Sequence, residues 1–456
     1  MSSQVQKENP LGTMPIVPLL IKMSVPMMIS MFVQALYNIV DSMFVARISE
    51  DALTAVSLAF PVQMVMSAIA VGTGVGTNAS ISRLLGQKNY ADAQRTANNQ
   101  IFLTVAYIVL FFLIGLFLAR PFFNAQTDVP DIVEGGVIYL RIVCYFSLGS
   151  FFAQNFEKLL IALGKSTQSM IAQISGAVFN IVFDWLLIFG IGPFPEMGIA
   201  GAAVATVLGQ LLSAVLAFIF CLRADAGIRF RFREILPRWD IIRRIYAVGI
   251  PSMITMCLNS VMIFFMNLIL LGFSTTAAAV FGIWMKLHSF GFMPVFGLNN
   301  GTVSIFSYNY GAGKIDRVRK TLKLSLIVGF VVSAAVMVLY LLIPTTLLRF
   351  FDASPYMIEI GIPAVRICCI SVPIGALSII IGTFFQSLGR SNYALIINLC
   401  RLIIFMLPVA WLLSLSGILT NVWFSTIIGE AIALILAVAL YKKDSKALYN
   451  KKEFLS

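Results

Sequence analysis

Apolar runs of roughly 20 residues follow one another along the whole chain, separated by short polar or charged connections. A run of that length crosses the ~30 Å hydrocarbon core of a bilayer as one α-helix. Twelve such segments are predicted, near 15–46, 52–80, 94–119, 136–163, 167–190, 197–222, 240–272, 277–306, 321–348, 358–388, 392–415 and 418–441. The pattern is that of an all-α integral membrane protein with twelve transmembrane helices.

Composition agrees. Hydrophobic residues make up 59% and charged residues 11%, against roughly 25% charged in an average soluble domain, and the mean hydropathy is +0.93. A net charge of +12 raises the question of nucleic acid, which the placement of the charge answers. RLLGQKNYADAQR follows segment 2, RADAGIRFRFREILPRWDIIRR follows segment 6, GKIDRVRKTLK follows segment 8, and the tail reads YKKDSKALYNKK. The alternate connections hold mainly Arg47, Arg120 and Arg349. This asymmetry predicts a multi-pass protein of the inner membrane with both termini in the cytoplasm, and no nucleic-acid role. The N-terminus shows no small-residue cleavage site behind a short apolar core, so the first segment is expected to serve as the insertion signal. Cys144, Cys221, Cys257, Cys368, Cys369 and Cys400 fall inside apolar segments without CxxC spacing, and His288 is the single histidine. They read as packing residues and not as a zinc site.

The sequence also repeats itself. Shifted by 225 residues, PMMISM at Pro26 meets PSMITM at Pro251, Gly76-Thr77 meets Gly301-Thr302, Gly86 meets Gly311, LRIVC at Leu140 meets VRICC at Val365, and LGKS at Leu163 meets LGRS at Leu388. A five-residue deletion then sets Gly209-Gln210 on Gly429-Glu430. Each half holds six segments, an even number, so the halves are expected as two six-helix lobes in parallel duplication. The expected division is an N-lobe over 1–222, a basic cytoplasmic linker over 223–239 and a C-lobe over 240–456. Two such lobes suit alternating access.

The repeat fails at polar positions. Ser30, Gln34, Tyr37, Asn38 and Asp41 fall within an arc of roughly 100° on segment 1. Asn180 and Asp184 form an i, i+4 pair on segment 5. A carboxylate inside a membrane helix costs about 2.5–3.5 kcal/mol on insertion scales. In the second half, Tyr37, Asn38 and Asp41 become Met262, Ile263 and Met266, and Asn180 and Asp184 become Phe405 and Val409. Ser30 and Gln34 keep polar counterparts in Thr255 and Asn259. Two acids with Tyr and Asn oxygens suit a small cation, Na⁺ in an oxygen cage or a proton shared between carboxylates, as a feature of the N-lobe alone. Hydrogen-bonded helix glue is the competing reading.

The duplication, LYNIVD, FNIVFDWLLIFG (179–190) and FPEMGIAGAAVATVLGQ (194–210) resemble the multidrug and toxic compound extrusion transporters, over nearly the whole chain. The resemblance implies a secondary antiporter, not an enzyme, that exports organic, often cationic compounds in exchange for H⁺ or Na⁺. It implies a coupling site of Asp41, Asn180 and Asp184, with Tyr37 nearby and Thr206 as a neighbour, supported by Gln34 and Asn38. Segment 1 would bend near Pro26. Some branches place a glutamate on helix 7 eight residues after the proline. Asn259 stands there, so this chain looks closer to the DinF-like or MepA-like branches. Partners implied are small organic molecules and membrane lipid, with no cofactor, and a monomer suffices.

Met256, Asn259, Met262, Met266 and Trp284, in the Met- and Phe-rich segments 7 and 8, are candidates for lining a promiscuous substrate surface. Gly72, Gly74 and Gly76 in VGTGVGT read as close helix contacts, since they follow no strand. Glu157 and Lys158 are adjacent on segment 4, and Arg141 and Arg366 are repeat-equivalent positions suited to snorkelling. Lys286, His288, Arg401 and Glu430 belong to the C-lobe only, as salt-bridged packing or as a gate. The rival reading is a lipid-linked oligosaccharide flippase, which would want a basic cavity; segments 1 and 7 offer almost no Lys or Arg.

Overall fold

The computed structural model describes residues 9–224, 230 and 234–448, and every regular element among them is helical. Among the described residues, eleven helices are long and apolar enough to cross a membrane, and Pro130–Tyr145 with Leu148–Ala162, bent by 46°, makes a twelfth. In chain order, span 1 is Ile16–Ala46, span 2 Glu50–Gly86, span 3 Tyr90–Phe117, span 4 the bent pair, span 5 Ser166–Phe189 and span 6 Gly198–Leu222. Span 7 is Trp239–Leu271, span 8 Thr275–Gly311, span 9 Ile315–Leu342, span 10 Pro355–Ser387, span 11 Ser391–Ser414 and span 12 Leu419–Leu448. The expected all-α membrane fold is what the chain adopts. Of the expected linker over 223–239, residues 225–229 and 231–233 lie outside the described residues, as does the end of the basic tail.

The duplication is written into the helix ends. Ser49 accepts the Ala52 N–H at 3.0 Å and Ser274, 225 positions later, accepts the Ala277 N–H at 3.0 Å. Each caps the first turn of a 37-residue helix by satisfying a backbone donor that has no partner inside the helix. Spans 3 and 9 are both 28 residues long. Gly164 and Gly389 turn the chain into spans 5 and 11 at φ of 78° and 82°, a conformation in which a Cβ would clash.

Two compact units result, one of Ile29–Gly249 and one of Met1–Met28 with Ile250–Ser456. These bounds differ from the expected lobes: residues 9–28 belong with the second half, and 240–249 with the first. Pro26 and Pro251, one repeat length apart, each lie within two residues of a division. Both sit inside continuous helices.

Glycine makes each exchange fit. A Cβ on Gly76 would lie 2.2 Å from the Ile245 carbonyl oxygen, and one on its repeat partner Gly301 would lie 2.8 Å from that of Met23. Gly249 packs on the Gly72 carbonyl, and Gly74 faces the Lys158 side chain, so the VGTGVGT run brings helices into close contact. Polar ties add to this. Lys314 donates to the Gly12 carbonyl at 2.9 Å and Arg317 to those of Leu11 and Met14 at 3.2 and 2.7 Å. In the other unit, Gln94 donates to Glu234 at 2.7 Å and the Arg238 N–H to Asn99 at 2.7 Å.

The cysteines depart in part from the expected packing role. Cys144, Cys221, Cys368 and Cys369 are buried, but Cys400 is half-buried and Cys257 exposed.

Candidate functional site

Within the Ile29–Gly249 unit, two helices bring acids to one place. Asp41 lies five residues before the end of span 1, and Asp184 five residues before the end of span 5. Their carboxylates face each other. Tyr37, one turn before Asp41, lies beside both acids, Tyr139 and Thr206. Asp184 is fully buried, and Asn180, one turn earlier on the same face, is 2% exposed. Asn180 Nδ2 donates to Thr206 Oγ1 at 3.4 Å across to span 6.

Spans 5 and 6 approach closely because both lack a side chain at the contact. A Cβ on Gly176 would fall 2.6 Å from the Gly209 carbonyl oxygen, and one on Gly209 would fall 2.7 Å from that of Gly176 and 2.9 Å from the Asn180 Cβ. That backbone contact seats Asn180 against span 6.

The site holds more acceptors than donors. Both Asp184 oxygens, Asp41 Oδ1 and Asn180 Oδ1 are buried without a hydrogen-bond partner among the described residues. Acceptors left bare in this way are costly unless a proton or a cation joins them. The donor set is all oxygen: two carboxylates, an amide carbonyl and the hydroxyls of Tyr37, Tyr139 and Thr206. It fits a shared proton or a hard monovalent cation carried as cargo.

The sequence-predicted residues divide. Asp41, Asn180, Asp184, Tyr37 and Thr206 come together. Gln34 and Asn38 of the same stripe are exposed, and the Asn38 carbonyl accepts from Ser42 at 2.9 Å. Two further residues near the acids went unrecognised in the sequence. Tyr139 on span 4 lies near both acids, and Gln63 on span 2 donates to its hydroxyl at 3.0 Å. The signal was available: the 225-residue shift sets Tyr139 against Ala364 and Gln63 against His288.

Glu157 is a separate buried acid, satisfied by Gln173 at 2.6 Å and Ser213 at 2.9 Å. In the other unit, Thr255 donates to the Pro251 carbonyl at 2.8 Å and Asn259 to the Thr255 carbonyl at 3.4 Å, both within span 7. Met262, Met266 and Trp284 are buried, and Trp284 meets His288 and Tyr340 edge-on. Met256 and Asn259 are half-buried. Of the C-lobe ionisable residues, Arg401 Nη1 pairs with Glu430 Oε1 at 3.3 Å and His288 lies near Arg401. Lys286 stands apart, over the Phe351 ring.

Comparison with known proteins gives matches over nearly the whole chain. A family model described as MatE matches twice, at residues 26–186 and 251–412, the second match beginning one repeat length after the first. The chain is 27% identical to a FAD transporter of Shewanella oneidensis, over 87% of this chain and 88% of that protein. It is 25% identical to the multidrug export protein MepA of Staphylococcus haemolyticus, over 91% of each. An outward-facing structure of a multidrug resistance MATE family transporter of the MOP superfamily is similar at a TM-score of 0.89 and 25% identity, over 97% of this chain and 98% of that one.

Proposed function

From the premise that this chain belongs to the MatE family, as a membrane exporter and not an enzyme, we propose that it is a secondary antiporter coupled at Asp41 and Asp184. It exports organic compounds in exchange for H⁺ or Na⁺. The observation that carries this reading is a pair of facing carboxylates, Asp184 buried and Asp41 half-buried, three of whose oxygens are buried without a partner among the described residues, at positions the duplicate half fills with Met266 and Val409. The duplicate shows that a six-helix unit forms without the acids, so their insertion cost calls for a reason beyond folding.

Two like charges brought together and removed from water cost several kcal/mol. A proton or Na⁺ at the pair removes much of that cost, and more of it in whichever access state buries the pair more deeply. The ion therefore drives the exchange between states through its differential affinity for them. Tyr37, Tyr139 and Thr206 supply neutral oxygens around the acids, and Asn180 ties the site to span 6. Flexion of span 1 at Pro26 would transmit the change. The chain acts as a monomer in a bacterial inner membrane, both termini in the cytoplasm, with lipid around it and no cofactor.

The relatives' named cargoes, FAD in one and drugs in another, support an organic substrate, and the flippase reading is not favoured. Met256 and Asn259 remain candidates for contact with it. Reconstitution in liposomes with Na⁺ and pH gradients imposed separately identifies the coupling ion. Asp41→Asn is expected to abolish gradient-driven efflux of an organic dye while expression and monodispersity hold. A mutant that extrudes the dye at the wild-type rate removes the coupling role.

A further inference from the structure

The second unit has a polar centre of its own, built differently. The repeat sets Gly176 against Arg401 and Gln210 against Glu430. Where the first unit closes spans 5 and 6 through glycine, span 11 instead changes to a π-helix over Cys400–Met406. Such a wide turn inside an α-helix is frequent at functional sites. It begins beside Arg401, which lies about 15 Å along its span at 1.5 Å per residue, and so at mid-membrane depth.

Arg401 is 7% exposed and Glu430 8%. Gly375 makes room for the acid: a Cβ there would lie 2.9 Å from its carboxyl group. The pair is loosely held. Its single contact, Nη1 to Oε1, is 3.3 Å, longer than the roughly 2.7–2.9 Å of a tight charge-assisted bond. The other carboxylate oxygen accepts from Ser378 at 3.5 Å. Arg401 Nε is buried with no partner, and no hydrogen bond engages Nη2 among the described residues. The Nε–Nη2 edge is the one that a carboxylate or phosphate grips with two parallel bonds. His288 lies close by, its ring tilted against Phe292 at 4.4 Å between centroids. Thus the acid's oxygens are both engaged, while the Nε edge of the buried guanidinium has no partner among the described residues.

We propose that Arg401, set by the π-turn and held by Glu430, recognises a carboxylate or phosphate group on a transported compound. This rests on the exporter reading and deepens it: the chain's substrates include anionic ones, bound by the second unit while the first carries the ion. Arg401 meets the anionic oxygens through its unpartnered edge, Glu430 keeps the guanidinium aimed, and His288 lies nearby.

The test compares efflux of carboxyfluorescein and of ethidium from proteoliposomes under the same gradient. Arg401→Met combined with Glu430→Gln removes both charges at once, so neither is left buried alone. The carboxylate-to-cation efflux ratio is expected to fall at least tenfold in this variant. Arg401→Lys keeps the charge but loses the two-bond edge, so its ratio should fall severalfold, and it decides the matter if the double variant is not monodisperse. A wild-type ratio in both variants overturns the proposal. A wild-type protein that exports ethidium but no carboxyfluorescein also overturns it and leaves the exporter reading standing. Export of neither probe under any gradient defeats the exporter reading, and this proposal with it.

Discussion

At the scale of single residues, the candidate site is a surplus of acceptors. Tyr139 adds a neutral oxygen near both acids, with its hydroxyl fixed by Gln63 at 3.0 Å. Tyr139→Phe removes one oxygen and leaves the Gln63 amide without its acceptor. With a hydrogen bond worth about 1 kcal/mol and an orphaned group about 1–3 kcal/mol, the ion concentration for half-maximal transport should rise roughly tenfold, with folding retained. Transport titrated against Na⁺ and against pH measures it, and an unchanged midpoint would remove Tyr139 from the site. Asp41, Asn180 and Asp184 were legible in the sequence because acids and amides stand out against apolar helices and the repeat replaces all three. Tyr139 was not, since tyrosine is ordinary in a membrane helix and its role depends on which face of the bent span 4 it occupies. Met262, Met266 and Trp284 show the converse: composition marks them as adaptable surface, and packing buries them. Arg401 and Glu430 were visible as intramembrane charges, but only the fold pairs them.

At the scale of elements, helix contact here depends on missing side chains. Gly76 and Gly301 hold equivalent positions, each against a carbonyl from the leading half of another long helix. Backbone cannot yield as a flexible side chain can, so Gly76→Ala and Gly301→Ala should each cost about 1–3 kcal/mol, as overpacking does. Thermal unfolding in detergent should show a lower Tm for both, with Gly76→Ala more affected, its Cβ clash being the closer of the two. Equal stability to wild type would mean that these helices separate at no cost. The glycines were marked by their repeat spacing, and the paired caps at Ser49 and Ser274 could be inferred the same way. The π-turn at Cys400–Met406 had no such sign, because its apolar residues are those of any membrane helix.

At the scale of the molecule, sequence halves and compact units are different divisions. The repeat predicts a cut near the linker, whereas residues 9–28 pack with the second half and residues up to 249 with the first. Fragments 1–228 and 229–456 each carry a segment whose glycine partner lies on the other fragment. Neither should purify as a monodisperse species alone, while co-expression should let a tag on one retrieve both and restore dye efflux. A single fragment as stable as the full chain would contradict that expectation. Periodicity and self-alignment showed the span number and the duplication; the exchange of segments was hidden because it is a matter of which surfaces meet, not of which residues repeat.

That exchange carries a historical consequence. Two half-length chains that traded their leading segments would form a domain-swapped homodimer, an inexpensive route to a stable pair. Such an ancestor would carry two identical sites, and any mutation would strike both at once. Fusion into one chain ended that constraint. One copy could then give up its acids for Met266 and Val409 and acquire Arg401 and Glu430, while the other kept Asp41 and Asp184 unchanged in kind. On this account the chain's functional asymmetry is younger than its fold.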